Sequence, residues 1–470
     1  MLRVHKALTR SARIGLAVLA LSLPASAETL TQALVSAYNH SGLLDQNRAL
    51  LRAADEDVAQ SVAALRPVIG WSAEVSRAFG TTRSTSTGGR TIGFVNNEAT
   101  IGLAAEMTLF DNGATRLAGE AAKEAVLATR QQLIAVEQSV LLRAVSAFME
   151  VRRATETAAV RDSNVRLIAE ELRAANDRFD VGEITRTDVA QAEARLAAAR
   201  SALAAASGAL DVARAEYAAA IGHKPGALTP PSRLPSLPGM ANAIDTAQRG
   251  HPSVLAAQHQ VAAAELAIAR ADAAMKPKVT LGARLGMTDD LDSSNFTHSG
   301  SVTLGVSGPI YQGGRLSSLK RQAMAQRDAA RNGLLVTGQT LRRDVENAYA
   351  QFNVARASRD ASERQIRASQ VAFRGVREEA SLGARTTLDV LNAEQELLDA
   401  RVGLISATVD ETVAAYVVLA SIGLLTADHM NLAVQRYDPE AYYNLVKSAP
   451  IARSAQGKQL DRVLQALGKE

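Results

Sequence analysis

The chain of 470 residues contains no cysteine. That excludes disulfide frameworks, thiolate metal sites, cysteine nucleophiles and the lipid-bearing cysteine that opens a mature bacterial lipoprotein. Aromatic residues make up only 4%, little for the roughly three globular cores that the length would suggest. Long apolar runs are missing too. The longest, Ile14 to Leu23 and Val413 to Leu425, fall well short of the ~20 residues a helix needs to cross a bilayer, so no helix of the mature chain is expected to span a membrane. An excess of one charge sign is also lacking. The 52 basic and 48 acidic residues leave +4, and Arg3, Lys6, Arg10 and Arg13 sit in an acid-free N-terminal stretch. The rest is neutral overall, so no nucleic-acid partner is indicated. The seven histidines show no ligand spacing, there is no phosphate-cradling glycine loop, and the Ser-x-x-Lys spacing of Ser317 and Lys320 stands alone. Catalysis, metals and cofactors therefore find no support.

What is present begins with an export signal. The four N-terminal cations precede the apolar run Ile14 to Leu23, and Pro24-Ala25-Ser26-Ala27 ends in the small-x-small pattern of a cleavage site. The mature chain is expected to start at Glu28. Exported and without a spanning helix, the protein can enter a membrane only as a β-barrel.

The chain is also a tandem duplication, the signature to seek before any fold assignment. Ala33, Ala37, Ala63, Ala64 and Pro67 match Ala243, Ala247, Ala273, Ala274 and Pro277 at a shift of 210. Further on the shift is 201, and Gly113, Gly182, Asp188, Glu193, Leu196, Arg200, Ile221 and Gly222 match Gly314, Gly383, Asp389, Glu394, Leu397, Arg401, Ile422 and Gly423. The difference falls between Pro67 and Phe110, where the first copy carries a longer polar loop. Between the copies, Pro225, Pro230, Pro231, Pro235 and Pro238 forbid a continuous helix.

Each copy reads as helix, strand, loop, strand, long helix, turn, helix. Ile69, Trp71, Ala73 and Val75, then Ile101, Leu103, Ala105, Met107 and Leu109, alternate with polar, glycine or alanine residues. The second copy repeats this with Val279, Leu281, Ala283, Leu285 and Met287, then Val302, Leu304 and Val306. Four strands of roughly ten residues, apolar on one face and polar on the other, suit a membrane barrel with a wet lumen. A half-buried soluble sheet gives the same alternation. The strands point to the barrel because the export signal and the polar loops Gly80 to Glu98 and Thr288 to Gly300 agree with it. Four strands cannot close, however, so the barrel must be shared with copies of the chain.

The helices carry heptad seams. Thr115 to Arg178 has no proline, and at 1.5 Å per residue it could run ~95 Å; Arg315 to Ala380 is its counterpart. Val126, Leu133, Val140, Ala147 and Ala154 are spaced by seven, and after a step of four Ala158, Val165, Leu172 and Phe179 resume the spacing. That stutter relaxes left-handed supercoiling and keeps a rod nearly straight. In the return helix Val189, Leu196, Leu203, Leu210 and Tyr217 form one line, with Ala192, Ala199, Ala206, Ala213 and Ala220 beside it. Two adjacent seams can meet two neighbours and so build the wall of a tube. An ordinary antiparallel coiled coil satisfies the same pattern.

The duplicated order of these elements, Leu109-Phe110-Asp111-Asn112-Gly113 and Ile310-Tyr311-Gln312-Gly313-Gly314 at the strand-to-helix corners, and Gly383 to Asn392 before the last long helix together resemble the TolC family of outer-membrane channel proteins. The resemblance covers about Glu28 to Thr426. It implies a mainly α fold with a membrane β-barrel: a homotrimer with a long α-barrel through the periplasm and a shared 12-stranded β-barrel, four strands from each chain. It further implies an exit duct of the cell outer membrane that docks to a periplasmic adaptor and an inner-membrane ABC or proton-driven transporter, for type I secretion of protein or efflux of small toxic compounds. The expected division is a signal peptide 1–27, a first repeat 28–221, a linker 222–242, a second repeat 243–426 and an equatorial segment and tail 427–470. Tyr437-Asp438-Pro439-Glu440-Ala441-Tyr442-Tyr443 is similar to the tail of secretion-type members. The remaining tail from Lys447 is open to disorder or a short helix.

The same resemblance assigns the site residues. Phe110, Gly113, Tyr311 and Gly314 mark the strand–helix corners. At the periplasmic mouth Thr187 and Asp188, with Arg385, fall on positions of a polar link that holds the channel closed, and Asp389 falls where three carboxylates ring the constriction. Two departures stand out: Asn392 replaces a second acidic position and Ala380 replaces a tyrosine of the lock, which implies a weaker ring and a looser closed state. The residues alone allow a simpler role. Thr185 with Asp188, and Thr386 with Asp389, fit capping boxes at helix starts. Two further classes share parts of the pattern, a trimeric autotransporter-like adhesin and a soluble periplasmic adaptor. The first would gather its strands at the C-terminus and the second needs no lipid-facing strands.

Overall fold

The computed structural model describes residues 27–466, the side chain of Thr87 excepted. The expected export signal lies, but for Ala27, outside the described residues. In chain order the elements are α1 (Leu30–His40), α2 (Gly42–Ala63), β1 (Val68–Arg83), β2 (Thr91–Phe110), α3 (Ala114–Asp180) and α4 (Arg186–Ile221). The second copy repeats them as α5 (Met240–Gly250), α6 (Pro252–Ala273), β3 (Lys278–Asp290), β4 (Phe296–Ser307), α7 (Arg315–Ser381) and α8 (Thr387–Ser421). Two short helices, α9 (Pro439–Val446) and α10 (Ala455–Ala466), complete the chain, so much of the tail is ordered helix. The chain divides into two compact units, and each draws on both copies.

One unit contains the sheet. Its order is β1-β2-β3-β4, antiparallel throughout. The register puts the alternating apolar residues of all four strands on one face: Trp71 lies opposite Leu103, which lies opposite Leu285, and Ala73 opposite Ile101 opposite Met287. Leu281 opposes Leu304, and Ala283 opposes Val302. Ser72, Gly102, Gly286 and Ser299, with Glu74, Thr100 and Thr288, share the other face, where the Thr100 and Thr288 hydroxyls hydrogen-bond at 3.1 Å. On the apolar face Trp71 is 73% exposed and Val302 78% exposed, a patch that in water would be an interaction site. Among the described residues the outer edges of β1 and β4 are unpaired.

The strands are longer than the alternation suggests. β1 and β2 have 16 and 20 residues, and only a 3-10 turn at Thr85–Thr87 stands between Arg83 and the short link to Thr91. Most of the stretch read as a polar loop, Gly80 to Glu98, is therefore hairpin. The alternation fails there because Ile92 and Phe94 lie on the polar face, with the Phe94 ring over Gly80, where a Cβ would come within 3.1 Å. At the other end of β2 a bulge between Thr108 and Phe110 takes Leu109 out of register.

The same unit holds the tail. The Tyr442 hydroxyl donates to Glu56 at 2.7 Å, the Arg48 guanidinium lies 5.4 Å from the Tyr437 ring centre and that of Arg130 lies 5.3 Å from the Tyr443 ring centre. Arg66 donates to the carbonyls of Ser448 and Ala449. Ala59, Tyr442 and Val446 form a small apolar core there.

The other unit is helical. Its buried positions follow the expected seams in part: Val140, Ala147 and Ala154 on α3 and Val189, Leu196, Tyr217, Ala192, Ala199 and Ala213 on α4 are buried. Beyond the step of four, however, α3 buries Asn164, Ile168 and Ala175 instead of Ala158, Val165, Leu172 and Phe179, and Leu203 and Leu210 of α4 are only half-buried. By length and composition alone, α4 and α8 are apolar enough to cross a bilayer, which the count of apolar runs does not anticipate. Alanine supplies much of that apolarity, and here alanine lines packing seams; much of the apolar stretch of α8 is already buried against the chain.

Candidate functional site at the two helix turns

Each long helix ends in the same way. Gly182 (φ 80°) and Gly383 (φ 78°) adopt the left-handed conformation that closes a helix. The amide of Glu183 donates to the Arg178 carbonyl and that of Gly182 to Phe179; Ala384 and Gly383 repeat this with Glu379 and Ala380. This is the Schellman arrangement, which glycine adopts without a Cβ penalty. The chain then turns through an extended N-cap, Thr185 or Thr386, into the return helix.

The carboxylates of this turn serve the caps. Thr185 donates its amide (2.9 Å) and hydroxyl (2.7 Å) to Asp188, and Thr386 donates its amide (3.0 Å) and hydroxyl (2.8 Å) to Asp389. In the second turn the Asp389 amide donates back to the Thr386 hydroxyl at 3.2 Å. Hydrogen bonds from Thr185, its hydroxyl first, hold Asp188 below the usual carboxylate range, and those from Thr386, its amide first, do the same for Asp389. Arg385 donates to Glu379 at 2.8 Å, which with the nearby Asp389 raises its already high basicity. Thr187 is exposed in the first turn of α4. Among the described residues no hydrogen bond or ion pair within the chain joins Thr187 or Asp188 to Arg385, so the cap is the role that one chain by itself displays.

The contacts that tie the two helix pairs together lie slightly deeper, and the sequence motifs missed them. Ala175, Val189, Ala192 and Leu391 form an apolar cluster of α3, α4 and α8. Arg195 donates to Asn392 at 2.8 Å, so the residue in place of a second acid is engaged by α4. Arg377 approaches Glu171 at 3.8 Å. Asn164 donates to Glu394 at 2.6 Å, and both are buried. The signal for Glu394 was its place within an apolar seam, among Val390, Leu391, Leu397 and Leu398. Beside Ala380 a pocket of about 200 Å³ opens, lined also by Ala175, Arg178, Arg377, Thr387 and Val390.

The strand–helix corners are built differently in the two copies. Asp111 accepts the amides of Gly113 (3.0 Å) and Thr115 (2.7 Å), and hydrogen bonds from Thr115 and its neighbours outweigh burial to hold it below the usual range. Asn112 donates to the Pro277 carbonyl at 2.7 Å, tying the corner to the start of β3. In the second corner Gln312 accepts from Arg315 instead. Gly113 and Gly314 take φ 83° and 84°, while Phe110 and Tyr311 are 56% and 85% exposed.

The sequence profile described as "Outer membrane efflux protein" matches residues 33–223 and 243–423, one match for each copy. The chain belongs to the outer membrane efflux protein family. Among relatives of this family, the outer membrane efflux protein BepC of Brucella suis is 39% identical over 428 residues, 90% of this chain and 91% of BepC. The outer membrane protein TolC of Escherichia coli is 25% identical over 83% of this chain and 82% of TolC. The Campylobacter jejuni CmeC outer membrane channel shares the fold at a TM-score of 0.76 and 17% identity, covering 90% of each chain. As a member of this family the chain is a non-enzymatic outer-membrane channel protein that extends into the periplasm. Its duplicated strands and helices are those of a TolC-like duct, which sets aside the adhesin and the soluble adaptor.

Proposed function

We propose that three copies of the chain close a 12-stranded barrel and form an exit duct that is gated at the helix turns and docks to a periplasmic adaptor and an inner-membrane transporter. The observation that carries this reading is the four-stranded sheet with one apolar face and two unpaired long edges. Lipid satisfies the apolar face, and neighbouring copies satisfy the edges. Val181 and Leu382, equivalent residues at the two turns, are 72% and 85% exposed and offer an apolar tip to an adaptor. The cargo is set by the transporter that docks. The naming of BepC as an efflux protein favours small toxic compounds, with type I secretion of protein as the other use of the same duct.

In the closed trimer Thr187, Asp188 and Arg385 supply polar links between helix pairs of the assembled mouth, and three Asp389 carboxylates ring its constriction. The low basicity of Asp389 keeps that ring charged near neutrality and selective for cations. Purified trimer in planar bilayers tests this. Replacing Asp188 and Arg385 with alanine raises conductance, and Asp389→Asn lowers cation selectivity; unchanged conductance and selectivity in these variants would sink the gate assignment.

A further inference from the structure

Polar contacts between α3 or α4 and the second helix pair include Arg153–Asp410 at 2.6 Å, Arg161–Asp399 at 4.0 Å, Arg377–Glu171 at 3.8 Å, Arg195–Asn392 at 2.8 Å and Asn164–Glu394 at 2.6 Å. The first four involve solvent-exposed side chains, where such pairs contribute little. The last is different. Asn164 is 6% exposed and Glu394 4% exposed, and while Oε1 accepts from Asn164 Nδ2, Oε2 has no hydrogen-bond partner. A carboxylate enclosed in this way is tolerated as the neutral acid and opposed as the anion. Its counterpart in the first copy, Glu193, is exposed, so the enclosed acid belongs to one copy only.

We propose that Glu394 is a positioning residue of the channel mouth: its protonated carboxyl, held by Asn164, keeps α8 seated on α3, and loss of the proton loosens that seat and favours opening. The inference rests on the gated-duct reading above. The charged groups that face Glu394 are Glu171 on α3, Arg377 on α7 and Arg401 on α8, with Arg195 on α4 bound to Asn392 one half-turn away. Burial is the largest influence and pushes the Glu394 carboxyl up to about 7; the Asn164 hydrogen bond opposes it, Glu171 adds to it, and Arg377 and Arg401 oppose it. Because the seated value lies above the ordinary 4.5, the seated state binds the proton more tightly than a state in which Glu394 meets water. Its advantage is complete below that ordinary value and is lost as pH rises through about 7.

Conductance of the purified full-length trimer in planar bilayers, recorded from about pH 5.5 to about pH 8.5, reads this directly. In the wild type the open-to-closed ratio rises with pH, by at most about tenfold per pH unit for each chain. Glu394→Gln, a neutral mimic of the acid, stays at the low-pH conductance throughout. Asn164→Ala removes the hydrogen bond that favours the anion and moves the step to higher pH. A wild-type current indifferent to pH, a Glu394→Gln channel that keeps the wild-type step, or an Asn164→Ala step that does not move each overturns the latch and leaves the duct standing. No current in any variant, including Asp188→Ala with Arg385→Ala, overturns the duct reading and the latch with it.

Discussion

Thr386 and Gly222 show how single residues fix the ends of the long helices. The Thr386 hydroxyl accepts from the Asp389 amide and donates to its carboxylate, so Thr386→Ala removes the side-chain half of a capping box and leaves the bond from the residue 386 amide to Asp389. The expected cost is about 1 kcal/mol at the start of α8, read as faster hydrogen exchange in its first turn. Gly222 ends α4 at φ 100°, and a Cβ there would lie 2.4 Å from the His40 ring. Gly222→Ala combines backbone strain with that clash and lowers stability by roughly 1–3 kcal/mol in thermal melts. Both positions are legible in the sequence, because capping threonines and terminal glycines act on neighbours a few residues away. The partners of Arg385 and Glu394 are not, since Glu379 lies across the turn from Arg385, and Asn164, against which Glu394 is buried, is 230 residues distant.

Among the elements, α2 and the tail carry a second buried acid. Asp55 is fully buried, and neither carboxylate oxygen has a hydrogen-bond partner. Burial pushes it up to about 6, with Arg130 pulling down and Glu56 pushing up. A raised value means that stability is full below the ordinary 3.8 and is lost as pH rises through about 6. Asp55→Asn is expected to flatten this loss, worth up to about 3 kcal/mol at neutral pH, in denaturation measured at acid and neutral pH. The strands and the long helices follow from the sequence, because heptads and alternation are periodic signals, but the single helix expected before the strands of each copy is two, α1 and α2 in the first and α5 and α6 in the second, broken at Ser41 and His251. The extension of β1 and β2 toward Thr85 escaped because Phe94 and Ile92 occupy the polar face. The helix α10 is the second of the two alternatives left open for the tail, which carries no cap or seam clear enough to choose between them.

At the scale of the molecule, the sequence repeat and the compact units divide the chain differently. The copies run consecutively, yet each unit takes pieces of both, as happens when duplicated hairpins pair with each other and duplicated helices do likewise. The hairpins of the two copies meet along β2 and β3, and among the described residues only the outer edges of β1 and β4 remain unpaired. Duplication alone therefore cannot close the barrel, and the count of strands calls for further copies. The most direct test is the mass of the protein extracted from outer membranes in detergent, measured by native mass spectrometry. Three chains per particle are predicted; a monomer, soluble without detergent, would contradict the account.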